Sequence, residues 1–293
     1  MKFNVDHYFH IGHMHYAGGK PCQDHALSRS NGTYASVIVS DGCSTGGNTD
    51  VGSRVISCST LQAISDHMGA SPYSLETAAE SIRFRQRQIV SGVRPILGLE
   101  HNDMFATCLY AYLSPFGGLL FVHGDGAIAL KFRDGSICVG RYEWANNMPF
   151  YPAYEGKSLD AFINAQKNSE VPYALEMRTF DSAGNCIESR DKKYSVSDGV
   201  RGMQTILSLE QLAEIDYVAV FTDGVSQVDG VEWFDAIRGY LAYKNTAGEF
   251  CKRRMMRAIK DSQATGKGPE DDIACGVIRI EREEESHDGK NTE

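Results

Sequence analysis

The sequence predicts an α+β fold built on antiparallel sheets. Three observations carry that reading. Short runs rich in Val, Ile, Tyr and Phe stop at Asp-Gly or Gly-Asp-Gly breaks, as strands ending in turns do. These runs cluster between pairs of helix-patterned stretches and do not alternate strictly with them, which disfavours a parallel sheet. Finally, 42% hydrophobic residues and only 8 prolines in 293 residues describe a globular chain, neither low-complexity nor disordered.

Taken in order, residues 34–40 are a β-branched run ending at Asp41-Gly42. Residues 50–67 carry Val51, Val55, Ile56, Leu61 and Ile64 at helical spacing. A second helix is expected from about Ser74 to Pro95, with the Phe84 to Arg87 stretch forming a solvated face on which Phe84 is packed. Three strands follow over 105–113, 118–123 and 127–132, and Asp134-Gly135 turns the chain into a fourth. Between 141 and 202 the pattern loosens, apart from a hairpin signal at 181–185. Strand character returns at 217–222 and ends at Asp223-Gly224; helices are expected over 231–243 and 247–262, and a last strand over 273–280. No repeat or Pro/Gly/Ser-rich linker divides the chain, so residues 1–280 are expected to form one domain, with a charged, disordered tail over 281–293.

The balance of 29 Lys+Arg against 38 Asp+Glu gives a net charge of −9, which argues against a dedicated nucleic-acid binder. No apolar run approaches the length of a membrane span, and the first residues lack the apolar core of a secretory signal. A cytoplasmic protein without membrane partners is expected. The 8 cysteines include no Cys-x-x-Cys pair, so reduced thiols are expected, not a zinc knuckle or redox dithiol. Neither a phosphate-binding Walker loop nor a Gly-x-Ser-x-Gly elbow is present.

The chemistry points to carboxylates at strand ends. Asp41-Gly42, Gly124-Asp125-Gly126 and Asp223-Gly224 each border an apolar run, Asp271-Asp272 precedes the last one, and Gln23-Asp24 lies ahead of the first. One Asp-Gly pair is merely a turn. Several converging at the ends of a rigid sheet would form an all-oxygen site of the kind hard cations such as Mg²⁺ or Mn²⁺ prefer.

In these segments the chain resembles the metal-dependent protein phosphatases of the PP2C (PPM) type, in a divergent bacterial-like form. The matching stretches are Gly19-Lys20-Pro21-Cys22-Gln23-Asp24, Val37-Ile38-Val39-Ser40-Asp41-Gly42, Phe121-Val122-His123-Gly124-Asp125-Gly126, Val218-Ala219-Val220-Phe221-Thr222-Asp223-Gly224 and Glu270-Asp271-Asp272-Ile273, in the family's order. The resemblance implies a four-layer α-β-β-α sandwich with two antiparallel sheets and a centre of two, possibly three, Mn²⁺ or Mg²⁺ ions. It implies that Asp41 bridges two ions, that the Gly42 carbonyl ligates one, and that Asp223 and Asp271 complete the shell of the second. Asp125, with Asp223, would help hold a third ion, and Asp24 would hold water belonging to the metal shell. The implied reaction is hydrolysis of phosphoserine or phosphothreonine on proteins, opposing a kinase. Activated water attacks phosphorus in such a centre, so no protein nucleophile is needed.

The chain departs from the family pattern at several places. Gly19 stands where an Arg commonly clamps the phosphate, leaving Lys20 beside it or Arg54 as substitutes; Lys lacks the bidentate fork. Gln23 replaces the usual Glu, and Cys43 follows Asp41-Gly42 where many members have His, so no general acid is assigned. Asp272 replaces the usual Asn and adds a charge that would favour a cation. His10, His13 and His15 invite a zinc reading, with His13 and His15 on one face of a strand, but lack a partnering Glu; His13 is given a phosphate-site or structural role. The loose region 141–202 matches nothing in the family. Two alternatives stay open: a catalytically weak pseudophosphatase acting as a binding module, and a small-molecule phosphoester hydrolase on the same scaffold.

Overall fold

The computed structural model describes residues 1–68, 74–156, 158–167 and 169–282. The β-rich part forms two sheets in which every neighbouring pair of strands is antiparallel. One sheet has seven strands: β1 (Lys2–His10), β12 (Ile273–Glu281), β11 (Ile215–Phe221), β6 (Gly126–Phe132), β7 (Ile137–Trp144), β8 (Tyr173–Phe180) and β9 (Cys186–Tyr194), in that spatial order. The other has five: β10 (Met203–Leu207), β5 (Gly117–His123), β4 (Cys108–Ser114), β3 (Ala35–Ser40) and β2 (His25–Ser30).

The sheets face one another, and the two-residue period of the strands explains why their sequences are almost uninterruptedly apolar. Along β11, Val218 and Val220 enter the core between the sheets with Val37, Val39, Leu109 and Val122. The alternate residues Ala219 and Phe221 face outward, beneath α7 (Trp233–Tyr240) and α8 (Phe250–Gln263), against Ile237, Phe250, Met255 and Ile259. On the opposite outer face, Tyr110, Tyr112 and Phe121 pack under α2 (Thr49–Met68) and α3 (Ala78–Ile96), against Ile56, Ile64, Ala79 and Ile82. The result is helices, sheet, sheet, helices: the four-layer sandwich. Short helices α1 (His13–Ala17), α4 (Leu159–Gln166), α5 (Val196–Arg201) and α6 (Leu209–Glu214) complete the elements used below.

Several expectations need correction. The loose region 141–202 contributes β7, β8 and β9, an ordered extension of the larger sheet. Its faint signal has a physical cause, because every residue of β9 from Cys186 to Lys193 is exposed and no burial imposes alternation. Phe84 is not packed but 55% exposed, while Gln86 is buried and donates its Nε2 to the Thr60 hydroxyl at 2.7 Å. Glu281, expected to open a disordered tail, instead ends β12; residues 283–293, where the rest of that tail was expected, lie outside the described residues. All eight cysteines are unpaired. No helix among the described residues is long and apolar enough to cross a membrane.

Candidate metal centre

Five chain segments deliver carboxylates to one end of the sandwich. Asp41 follows β3, and its backbone is locked to the next strand's approach: Thr107 donates its amide to the Asp41 carbonyl at 2.8 Å, and the Asp41 amide donates to the Thr107 hydroxyl at 3.0 Å. Asp125 sits in the β5–β6 turn between Gly124 and Gly126, whose φ angles of 113° and 130° only glycine adopts readily. That turn is fixed by the Trp144 indole N–H (3.1 Å) and the Tyr173 hydroxyl (3.2 Å), both donating to the Gly124 carbonyl. Asp223 leaves β11, while Asp271 and Asp272 lead into β12.

Asp41, Gly42, Asp125, Asp223 and Asp271 line one cavity of about 150 Å³, with His15, Cys43 and Tyr151 also in its wall. A larger cleft of about 390 Å³ shares Asp125, Asn147 and Asp223 with it and extends to Arg141, Glu143 and Gln227. Gln227 bridges two of the acids, its Nε2 lying 3.2 Å from Asp223 Oδ2 and 3.4 Å from Asp271 Oδ2. Asp24 is buried and not part of the cavity lining, but it receives the Thr222 hydroxyl at 2.6 Å and meets the Asp41 carboxyl.

Packing these acids together perturbs them. Burial, and then the charge of neighbouring aspartates, raises the pKa of Asp24, Asp41 and Asp125 well above the ordinary carboxylate value. The same causes raise Asp223 from 3.8 to about 6, with Asp271 the main charged neighbour. Burial alone would raise the Cys43 thiol, but hydrogen bonds with Thr45 and Tyr151 outweigh it and hold the thiol below its usual value.

The donor set fits divalent cations. Asp125 Oδ1, in the cavity wall, is buried without a hydrogen-bond partner, and the mutually repelling carboxylates lack a compensating cation, since no Lys or Arg lines the cavity among the described residues. Hard ions accepting oxygen ligands would relieve both deficits.

The residues proposed from departures in the sequence fall elsewhere. Lys20 is exposed and outside the cavity wall; its ammonium lies 3.5 Å from the carbonyl of Ser44, on the rim. Arg54 is exposed on α2, where its charge acts on His25. Gln23 donates to the Thr49 hydroxyl at 2.6 Å, and Thr49 in turn donates to the Cys43 carbonyl at 2.9 Å, so the amide braces the loop after Asp41. Asp272, expected simply to add charge, accepts the amides of Gly12 at 2.8 Å and Gln23 at 2.6 Å. Residues 13–17 are helical, not extended, so His13 is exposed and His15 alone of the three histidines enters the cavity wall. Thr222 and Gln227 escaped the sequence reading, and only Thr222, fixed beside Asp223, carried a usable strand-end signal; His15 was named there, but on a strand and beside His13.

A family model described as "Protein phosphatase 2C" matches residues 11–259. No curated protein matches the chain. Solved structures do: the serine/threonine phosphatase Stp1 from Staphylococcus aureus shares 13% identity over 96% of both chains, with a TM-score of 0.53. The S. agalactiae serine/threonine phosphatase shares 13% identity over 95% of this chain and 100% of its own, with a TM-score of 0.52. The Mycobacterium tuberculosis serine/threonine phosphatase PstP/Ppp shares 11% over 96% and 100%, with a TM-score of 0.50. At such identities these likenesses speak for the fold, while the family model, spanning most of the sequence, speaks for descent: the chain belongs to the protein phosphatase 2C family of metal-dependent phosphatases.

Proposed function

We propose that the chain hydrolyses phosphoserine or phosphothreonine on proteins, opposing a kinase, with Mn²⁺ or Mg²⁺ held by Asp41, the Gly42 carbonyl, Asp125, Asp223 and Asp271. The observation that carries this reading is the convergence of these residues on one cavity. When bound, divalent ions neutralise phosphoryl oxygens and acidify water, which is most of what phosphoester hydrolysis requires.

The chain's own residues supply position. The Thr107 bonds hold Asp41 at its strand end, and Gln227 spaces Asp223 from Asp271. Asp24, anchored by Thr222 and in contact with Asp41, would orient water of the metal shell. The cleft along Arg141 and Glu143 offers room for a phosphorylated segment beside Asp125 and Asp223. Arg141 does not replace the missing phosphate-clamping arginine, because its guanidinium is engaged by Glu143 at 3.1 Å and Glu176 at 3.0 Å. Lys20, on the rim, is left as the phosphate's point-charge partner.

The test is hydrolysis of an aryl phosphate and of phosphoserine and phosphothreonine peptides by purified protein in EDTA, Mg²⁺ or Mn²⁺, beside Asp41→Ala. Metal-dependent peptide turnover that disappears in the variant is expected. Turnover of the aryl phosphate alone would reject protein substrates, and equal rates in wild type and variant would reject the site.

A further inference from the structure

The first helix of the chain is docked onto the segment that precedes β12. The His13 amide donates to the Pro269 carbonyl and the Met14 amide to the Glu270 carbonyl, both at 3.1 Å, and the Gly12 amide donates to Asp272 Oδ1 at 2.8 Å. Contact at Gly12 is so close that a Cβ there would lie 2.2 Å from the carbonyl carbon of Asp271. These bonds leave His15 little freedom: the residue is 8% exposed and held in the wall of the acidic cavity.

His15 Nδ1 lies 2.9 Å from Asp272 Oδ2 and 3.6 Å from Asp271 Oδ1. Nδ1 is nonetheless buried with no hydrogen-bond partner: the Asp271 oxygen is too far, and the Asp272 oxygen, though near, forms no hydrogen bond with it. Asp272 Oδ2 is already served by the Gln23 amide and Oδ1 by that of Gly12. One ring nitrogen and two carboxylate oxygens thus come within 4.8 Å of one another without bonding directly. Neighbouring ligands of an ion with bonds of about 2.1 Å stand roughly 3 Å apart, close to these separations.

We propose that His15 Nδ1, Asp271 and Asp272 hold a divalent cation at the edge of the carboxylate centre, so that this chain offers a metal a nitrogen ligand in a site otherwise made of oxygen. The proposal rests on the metal-dependent reading above but not on catalysis. It has a chemical consequence: imidazole favours first-row transition ions over Mg²⁺, so His15 biases the site towards Mn²⁺ or Co²⁺.

The experiment is pulsed electron paramagnetic resonance of Mn²⁺ bound to the purified full chain, read for ¹⁴N coupling, with Mn²⁺ and Mg²⁺ titrated calorimetrically into wild type, His15→Gln, His15→Asn and the exposed control His13→Gln. Nitrogen coupling is expected in wild type and His13→Gln and absent from both position-15 variants. Mn²⁺ affinity in those variants should fall by about tenfold or more, the scale seen when a metal's immediate surroundings are altered, with a smaller change for Mg²⁺. Wild-type spectra without nitrogen coupling would overturn the proposal whether or not the variants fold, as would coupling that persists in a folded position-15 variant. Nitrogen coupling in a protein that hydrolyses no phosphoester would sink the proposed function and leave this site standing; turnover without nitrogen coupling would do the reverse.

Discussion

The Thr222 hydroxyl donates to Asp24 Oδ2 across 2.6 Å, and the same oxygen accepts the Ala274 amide at 2.7 Å. One side chain thereby joins the end of β11 to the start of β12 and to the segment entering β2. Because all three groups are buried, removing the hydroxyl leaves a carboxyl and an amide short of partners. Thr222→Val is predicted to destabilise the fold by about 2–4 kcal/mol in chemical denaturation and to weaken Mn²⁺ binding. Thr222→Ser keeps the oxygen and should retain most of both. Equal losses in the two variants would show that the methyl group, not the hydrogen bonds, is what matters.

The clustered carboxylates set function against stability. With their pKa values raised by burial and mutual repulsion, Asp41 and Asp223 are strained as anions whenever no cation is present. Asp41→Asn and Asp223→Asn are each expected to cut metal-dependent hydrolysis by about a hundredfold or more. In EDTA both variants should melt higher than wild type, with Asp223→Asn more stable by on the order of 1–3 kcal/mol. A lower melting temperature in EDTA for both would mean that their structural hydrogen bonds outweigh the repulsion.

The same argument fixes a pH dependence. A carboxyl raised in the folded state adds stability that is complete below its unfolded value and is lost as pH rises through its folded value. For Asp223 that window runs from 3.8 to about 6. Exposed acids such as Asp134, Asp181 and Asp198, lowered by hydrogen bonds with their own loops, act oppositely and lose their contribution at the acid end. Metal-free protein should therefore melt highest near about pH 5 and lower at pH 7. Saturating Mn²⁺ should stabilise most at pH 7, since protons compete for the same oxygens. Differential scanning calorimetry at the two pH values, with EDTA and with Mn²⁺, checks the sign; metal-free protein more stable at pH 7 would contradict it.

How much of this was legible in the sequence follows from what each residue is asked to do. Runs such as Tyr217–Phe221 are buried on both faces and announce themselves as strands. β1, with polar residues such as Asn4, His7 and His10 among its apolar ones, carries no comparable run and was not read as a strand, although it pairs along its whole length with β12. The aspartates beside Gly42, Gly126 and Gly224 could be found because strand ends and turns have local signatures. The role of Asp272 could not, because its partners Gly12 and Gln23 lie 260 and 249 residues away and only the fold brings them together. His15 stood out as a histidine, but its place was obscured by a period error: an extended reading pairs it with His13 on one face, whereas the helix turns His13 to solvent and His15 to the cavity.

Gly224 makes the tightest link between this packing and the site. A Cβ built there would lie 1.8 Å from the Asp272 carbonyl oxygen and 2.8 Å from its carbonyl carbon, both backbone atoms with little room to retreat. The glycine of Asp223-Gly224 is thus required by the neighbouring strand entry and not merely by a turn. Gly224→Ala must push residues 271–272 away from β11, and overpacking of this kind costs about 1–3 kcal/mol. Because Asp271 and Asp272 move with that segment, Mn²⁺ affinity should fall along with stability. Gly239→Ala offers the contrast: position 239 lies inside α7 with open space around its Cβ, so the change should stabilise by about 0.5–1 kcal/mol and leave metal binding unaltered. Paired melting curves and Mn²⁺ titrations of the two variants decide the point. A Gly224→Ala protein with wild-type stability and affinity would show that the segment before β12 yields freely, and the close approach would then play no part in positioning Asp271.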